Sequence, residues 1–160
     1  MNIYAGRWLM LIFAVAWLVH GEAYAKSSLI LEVAEFEPRK AALHLVEGIS
    51  PIFQESDEAD PQAVEQKAKT VLEELMRNMN PGIKDASGKA LAIFNVEFPT
   101  LLAHVFLRRI EELERKIQEE PDPATRFRQQ SLLQYFRNQH QAASTLSKNL
   151  RVKYESQGRL

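Results

Sequence analysis

The sequence predicts an all-α protein: an antiparallel bundle of four to five helices behind a cleavable N-terminal signal peptide. Three observations carry this. Apolar residues recur at spacings of three and four along four long stretches, the period of a helix with one buried face. Asp60-Pro61 and Asp122-Pro123 each place a capping carboxylate directly before a proline, the chemistry of a helix start, and Glu37-Pro38 is a weaker version. The only strand-like alternation, at 28–36, has no second strand to pair with.

The signal peptide is read from residues 1–25. Arg7 gives a positive start, residues 8–19 are an unbroken apolar run, and His20, Gly21 and Glu22 form a polar exit. Ala23-Tyr24-Ala25 then supplies the small-x-small pattern that a signal peptidase accepts. Twelve apolar residues fall short of the roughly 20 that a spanning helix needs. Residues 26–160 are therefore expected to work outside the cytoplasm, in a periplasm, as one domain.

Within that domain, 28–36 stays open between helix and extended arm. Leu29, Leu31 and Val33 alternate, yet Ile30, Val33 and Ala34 also fit a helix. The first secure helix runs from Pro38 to about Phe53, with Ala42, Leu45, Val46, Ile49 and Phe53 inward. Residues 54–60 form an acidic linker. A second helix is expected from Pro61 to Asn78, stopped by Asn80-Pro81-Gly82. Its inward face is Val64, Ala68, Val71, Leu72, Leu75 and Met79, and Glu65–Lys69 and Glu73–Arg77 brace the outside.

The third element begins at Ser87, a capping residue, and carries Leu91, Phe94, Phe98, Leu102, Phe106, Ile110, Leu113 and Ile117 on one stripe. Glu111–Arg115 and Glu112–Lys116 brace its exposed side. Pro99 is expected to kink it or to divide it into helices at 87–97 and 99–119, because proline removes a backbone donor and crowds the preceding turn. The fourth helix runs from Pro123 to about Tyr154 along Leu132, Phe136, Ala143, Leu146, Leu150 and Tyr154. Gln139 and His140 leave a polar gap in that seam. The two Asp-Pro starts hint at duplicated helical hairpins, although the sequence match between them is too thin for a repeat.

Composition narrows the function. The chain has no cysteine, which removes disulfides, zinc–cysteine sites, covalent haem and thiol nucleophiles together. Net charge is −1, but residues 26–98 carry 8 Lys/Arg against 13 Asp/Glu, while 123–160 carry seven basic residues against Glu155 alone. Packing of complementary halves is one reading, and a basic helix facing an acidic partner, an anionic lipid surface or nucleic acid is the sharper one. Basic residues are not interleaved with aromatics as a nucleic-acid platform needs.

Motifs for chemistry are missing. His44, His104 and His140 lack metal-ligand spacing, Asp57, Glu58 and Asp60 lack the pattern of a calcium loop, and no nucleophile elbow or phosphate loop occurs. The expectation is a non-enzymatic exported protein, without cofactor or metal, that binds another macromolecule as an inhibitor or immunity protein, a chaperone or an envelope-complex adaptor. The partner is expected to be a protein, not nucleic acid, with the membrane met only during export and self-association left open. Residues 101–107 are apolar nearly all round, which marks either a central helix or a second contact face. Leu101, Val105 and Leu107 are the apolar candidates, and Arg126, Arg128, Arg137, Arg151 and Lys153 the basic ones. The alternative is a small-ligand carrier with haem, metal or lipid in the bundle core around Met76, Phe94, Phe98 and His140. Mass spectrometry of the exported protein should give a chain that starts at Lys26; an intact Met1 terminus there would refute the cleavage reading.

Overall fold

The computed structural model describes residues 36–54, 60–84 and 86–160, with backbone alone for 80–84. The signal peptide at 1–25, the open segment up to residue 35 and linker residues 55–59 lie outside the described residues. Four helices and no strand occur among those described: α1 (Pro38–Gln54), α2 (Pro61–Lys84), α3 (Gly88–Glu119) and α4 (Pro123–Ser156). The protein is an all-α bundle.

Each start follows its local chemistry. Ser87 Oγ accepts the Ala90 N–H at 3.1 Å and caps α3. Asp122 Oδ2 accepts both the N–H and the hydroxyl of Thr125, at 2.8 and 2.7 Å, and caps α4 ahead of Pro123. Those two bonds, the hydroxyl's first, hold the Asp122 carboxyl below its ordinary range. At α2 the Asp60 carbonyl takes the N–H groups of Ala63 and Val64.

One expectation about proline is corrected, and of the two alternatives at Pro99 the division is removed. α2 does not stop near Asn78 but continues through Pro81 and Gly82 to Lys84. A proline forgoes one donor, and every later N–H can still carry the ladder onward. α3 neither divides nor ends at Pro99 but is one helix from Gly88 to Glu119. Pro99 withholds the donor due to the Asn95 carbonyl. Just beside it, Thr100 Oγ1 donates to the Val96 carbonyl at 2.7 Å, which ties the same turn together. Phe98 and Pro99 are both buried, so tertiary packing carries the helix through.

Contacts between helices set their directions. Phe36, just ahead of α1, meets Phe94, and α1 meets α3 at Arg39 with Glu97 and Phe53 with Phe106, so the two run side by side in the same sense. α3 meets α4 at Asn95 with Tyr154, Thr100 with Ser147, Phe106 with Phe136 and Glu114 with Arg137, an antiparallel hairpin. α2 folds back on α1, where Gly48 admits the end of the Leu75 side chain to a space that a β-carbon would occupy. α3 and α4 share the widest interface, α1 and α3 the next, and α2 touches α4 only at its margin.

The inward faces are close to those read from periodicity. Ala42, Leu45, Val46, Ile49 and Phe53 of α1 are buried, as are Val64, Ala68 and Leu72 of α2. Met76 is buried there too, while Val71, Leu75 and Met79 are half-covered. On α4, Leu132, Phe136, Ala143 and Tyr154 are buried. One apolar core links all four helices, and a smaller cluster of Ala92, Val96 and Tyr154 sits at the start of α3 and the end of α4.

That end is closed by a helix cap. Gly158 has φ +63°, the Arg159 N–H reaches the Tyr154 carbonyl at 2.9 Å, and the Gly158 N–H reaches Glu155 at 3.0 Å. This double bond pattern needs a left-handed residue after the helix, and glycine adopts it without β-carbon strain. The turn sends Arg159 back across Tyr154, 5.2 Å from the ring, to donate to the Gly88 carbonyl at 2.8 Å. Gly158→Ala should therefore lower stability by about 1 kcal/mol or more, read as a shift in the urea midpoint without a change of slope; an unchanged midpoint would show the cap to be dispensable.

Candidate functional site

α3 is the central helix, because α1 covers one side and α4 another. Residues 101–107 lie in this helix. Leu102, Ala103 and Phe106 are buried, and Leu101 and Val105 are half-buried against the core. Only Leu107 of the three apolar candidates counts as exposed, at 40%. Two neighbouring helices, α1 and α4, cover the buried part of the stretch. α3 is also long and apolar enough to cross a membrane by length and composition, yet half of that stretch is buried inside the bundle.

The residues of the carrier alternative fall in two places. Met76, Phe94 and Phe98 belong to the main core, with the two phenylalanine rings stacked 6.3 Å apart. His140 is half-buried outside that cluster, its Nε2 3.5 Å from Ser144 Oγ. Its neighbour Gln139 is buried, as are Gln129 and Ser147 on the same helix. His44 and His104 are exposed, and among the described residues no group of three or more His, Asp or Glu stands close enough to hold a metal ion.

Sequence reading missed Arg109, the largest side chain that is wholly buried, 2% exposed. Its Nη1 lies 2.9 Å from Glu112 Oε2, and the other oxygen of Glu112 takes Lys116 Nζ at 2.9 Å. Glu112 thus joins an interior arginine to a half-covered lysine. The Lys116 hydrogen bond first, and then Arg109, hold the Glu112 carboxyl below its ordinary range, against an opposing push from burial. The spacing of Arg109 and Glu112 is that of any surface pair, so only the azimuth of Arg109, three residues after Phe106 on the core stripe, distinguishes it.

The basic candidates on α4 separate by azimuth. Arg137 turns toward α3 and pairs with Glu114 at 2.6 Å. Arg126 bends over the α3–α4 turn, where its Nε donates to the Glu120 carbonyl at 3.1 Å. Arg128, Arg151 and Lys153 are exposed, and Lys153 also lies 5.8 Å from the Tyr154 ring. Between these cations stand two residues that sequence reading passed over. Phe127 is 70% exposed between Arg126 and Arg128, and Val152 is 68% exposed between Arg151 and Lys153. Both lie opposite the Leu132–Phe136–Tyr154 seam on a helical wheel, so the signal was present in the sequence as apolar residues on the wrong side of an amphipathic helix.

A search for relatives adds no constraint, since no protein-family model, no curated protein and no solved structure matches the chain.

The Glu112 pair yields a pH dependence with a definite sign. A carboxyl held low in the folded state contributes stability above its unfolded value, about 4.3, and loses it as pH falls through the folded value. Glu112→Gln should start less stable at neutral pH, and its deficit against the wild type should shrink as acid is added. Thermal melts taken from about pH 7 to about pH 3 read this directly; a constant gap would refute it.

Proposed function

We propose that the chain is an exported, non-enzymatic helical protein that works by binding another macromolecule through the exterior of α4. The observation that carries this is Phe127, an aromatic ring 70% exposed and flanked by two arginines on a helix whose other side is committed to the core. An exposed aromatic contributes nothing to the bundle, and aromatic and arginine side chains are the groups that dominate binding surfaces. Val152 repeats the pattern at the far end of the same helix. The proposed job is recognition from a stable scaffold, in the class of inhibitor, immunity protein, chaperone or envelope adaptor.

Photo-crosslinking in the producing cell tests it. A photoreactive residue in place of Phe127 or Val152 should give discrete adducts, and one in place of Gln66, exposed on α2, should give none. Equal labelling at all three positions, or no adduct at any, would refute a working surface on α4.

A further inference from the structure

We propose that α2 is a lid: it opens from the bundle as a unit while α1, α3 and α4 stay packed on one another. The proposal stands on the contacts between helices and is independent of the binding role of α4.

The weaker attachment of α2 begins in its sequence. Its buried side chains are Val64, Ala68, Leu72 and Met76, a single row at a spacing of four with no aromatic ring in it. Val71, Leu75 and Met79 beside that row are half-covered. By contrast α3 buries twelve residues, Phe94, Phe98 and Phe106 among them. A helix with one narrow apolar stripe can be held closely by one neighbour. For α2 that neighbour is α1, and α4 is met only at the margin. One close approach to α1 is made by the half-covered Leu75, whose end takes the space beside Gly48. Toward its end α2 also carries Pro81 and Gly82, which weaken its own ladder by a missing donor and by a residue of low helix propensity.

The other three helices are joined without it. The rings of Phe53, Phe106 and Phe136 link α1, α3 and α4. Arg39 with Glu97 ties α1 to α3. Asn95 with Tyr154, Thr100 with Ser147 and Glu114 with Arg137 tie α3 to α4. Arg159 closes the far end onto Gly88. Every member of these contacts lies outside α2, so all of them survive its departure.

Parts of a protein open at free energies that follow the contacts each opening breaks. Lifting α2 breaks its interface with α1 and the marginal one with α4, whereas lifting any other helix breaks at least one wider interface or the aromatic triangle. The row from Val64 to Met76 is seated along one line of a stiff helix, so it leaves as one piece. The open form bares that row and the part of the core beneath it, an apolar surface that the closed form lacks.

Buried-thiol labelling of the purified protein tests the lid. The chain has no cysteine, so an engineered thiol is the only one that reacts. Ala68→Cys on α2 and Ala92→Cys on α3 sit at positions 1% and 0% exposed, and each adds a single sulfur atom. Ala92 belongs to the small cluster with Val96 and Tyr154, formed by α3 and α4. A buried thiol reacts when the unit that covers it opens, so labelling at 68 should be at least about tenfold faster than at 92. It should also rise more gently with urea, because that slope scales with the surface exposed. Each rate is read against the urea melt of the same variant, which identifies a variant weakened throughout. Hydrogen exchange of the unaltered protein gives a second reading. The amides of Ala68, Leu72 and Met76 should share one opening free energy, below that of Leu102 and Phe106. Equal rates and slopes at the two thiols, with α2 and α3 amides exchanging together, would overturn the lid. Protection that falls off steadily toward one end of α2 would also overturn it, because that is fraying and not the release of a unit.

Discussion

Phe106 is the contact on which the arrangement of helices depends. Its ring lies 5.1 Å from Phe53 of α1 and 5.8 Å from Phe136 of α4, and Phe53 and Phe136 are themselves 5.9 Å apart. All three are wholly buried. Aromatic rings at these separations attract beyond the area they bury, and a triangle of them leaves each helix little freedom to slide. The triangle is what makes α3 central. Once α3 is clasped from two sides, one stripe per helix no longer describes it, and its buried set widens to include Val96, Ala103 and Arg109.

Apolar packing alone would tolerate a slip of one turn between α3 and α4, and a row of buried polar groups removes that tolerance. Asn95 Nδ2 donates to the Tyr154 hydroxyl at 3.0 Å, and the hydroxyls of Thr100 and Ser147 meet at 2.5 Å beside the Val96 carbonyl. A slip would strand each of these groups in the interior, and an unmade buried hydrogen bond costs about 1–3 kcal/mol. Register fixed in this way also fixes which residues of α4 face outward. Phe127 and Val152 stay in solvent because the opposite edge is pinned at Tyr154 and Phe136.

Periodicity exposed most of the fold. Four helices, their caps at Ser87 and Asp122 and nearly every inward residue of α1 follow from spacing and capping chemistry, because those are local rules. What escaped was set by partners distant in sequence. Proline reads as a breaker until the strength of surrounding packing is known, and at Pro99 burial on both sides outweighed one lost donor. Residues 101–107 read first as a central helix and second as a contact face, and spacing alone does not separate the two. Arg109 reads as a surface charge until Phe106 fixes the azimuth of its stripe. At the candidate surface the basic residues were visible and their sorting was not. Arg137 is spent on Glu114, and whether a cation turns inward or outward depends on the neighbouring helix. Phe127 and Val152 were overlooked because attention to amphipathic helices goes to apolar residues that fit the seam.

The charge asymmetry of the chain now has a location. Between helices, Arg39 of α1 pairs with Glu97 of α3, and Arg137 of α4 with Glu114 of α3. The positive excess of α4 collects at its two ends, beside apolar side chains that the core does not use. Exposed surface pairs are worth little to stability, about 0–1 kcal/mol each. Phe127 and Val152 are the side chains that the packing of α4 does not use, and the proposed binding role gives them a reason to stand in solvent.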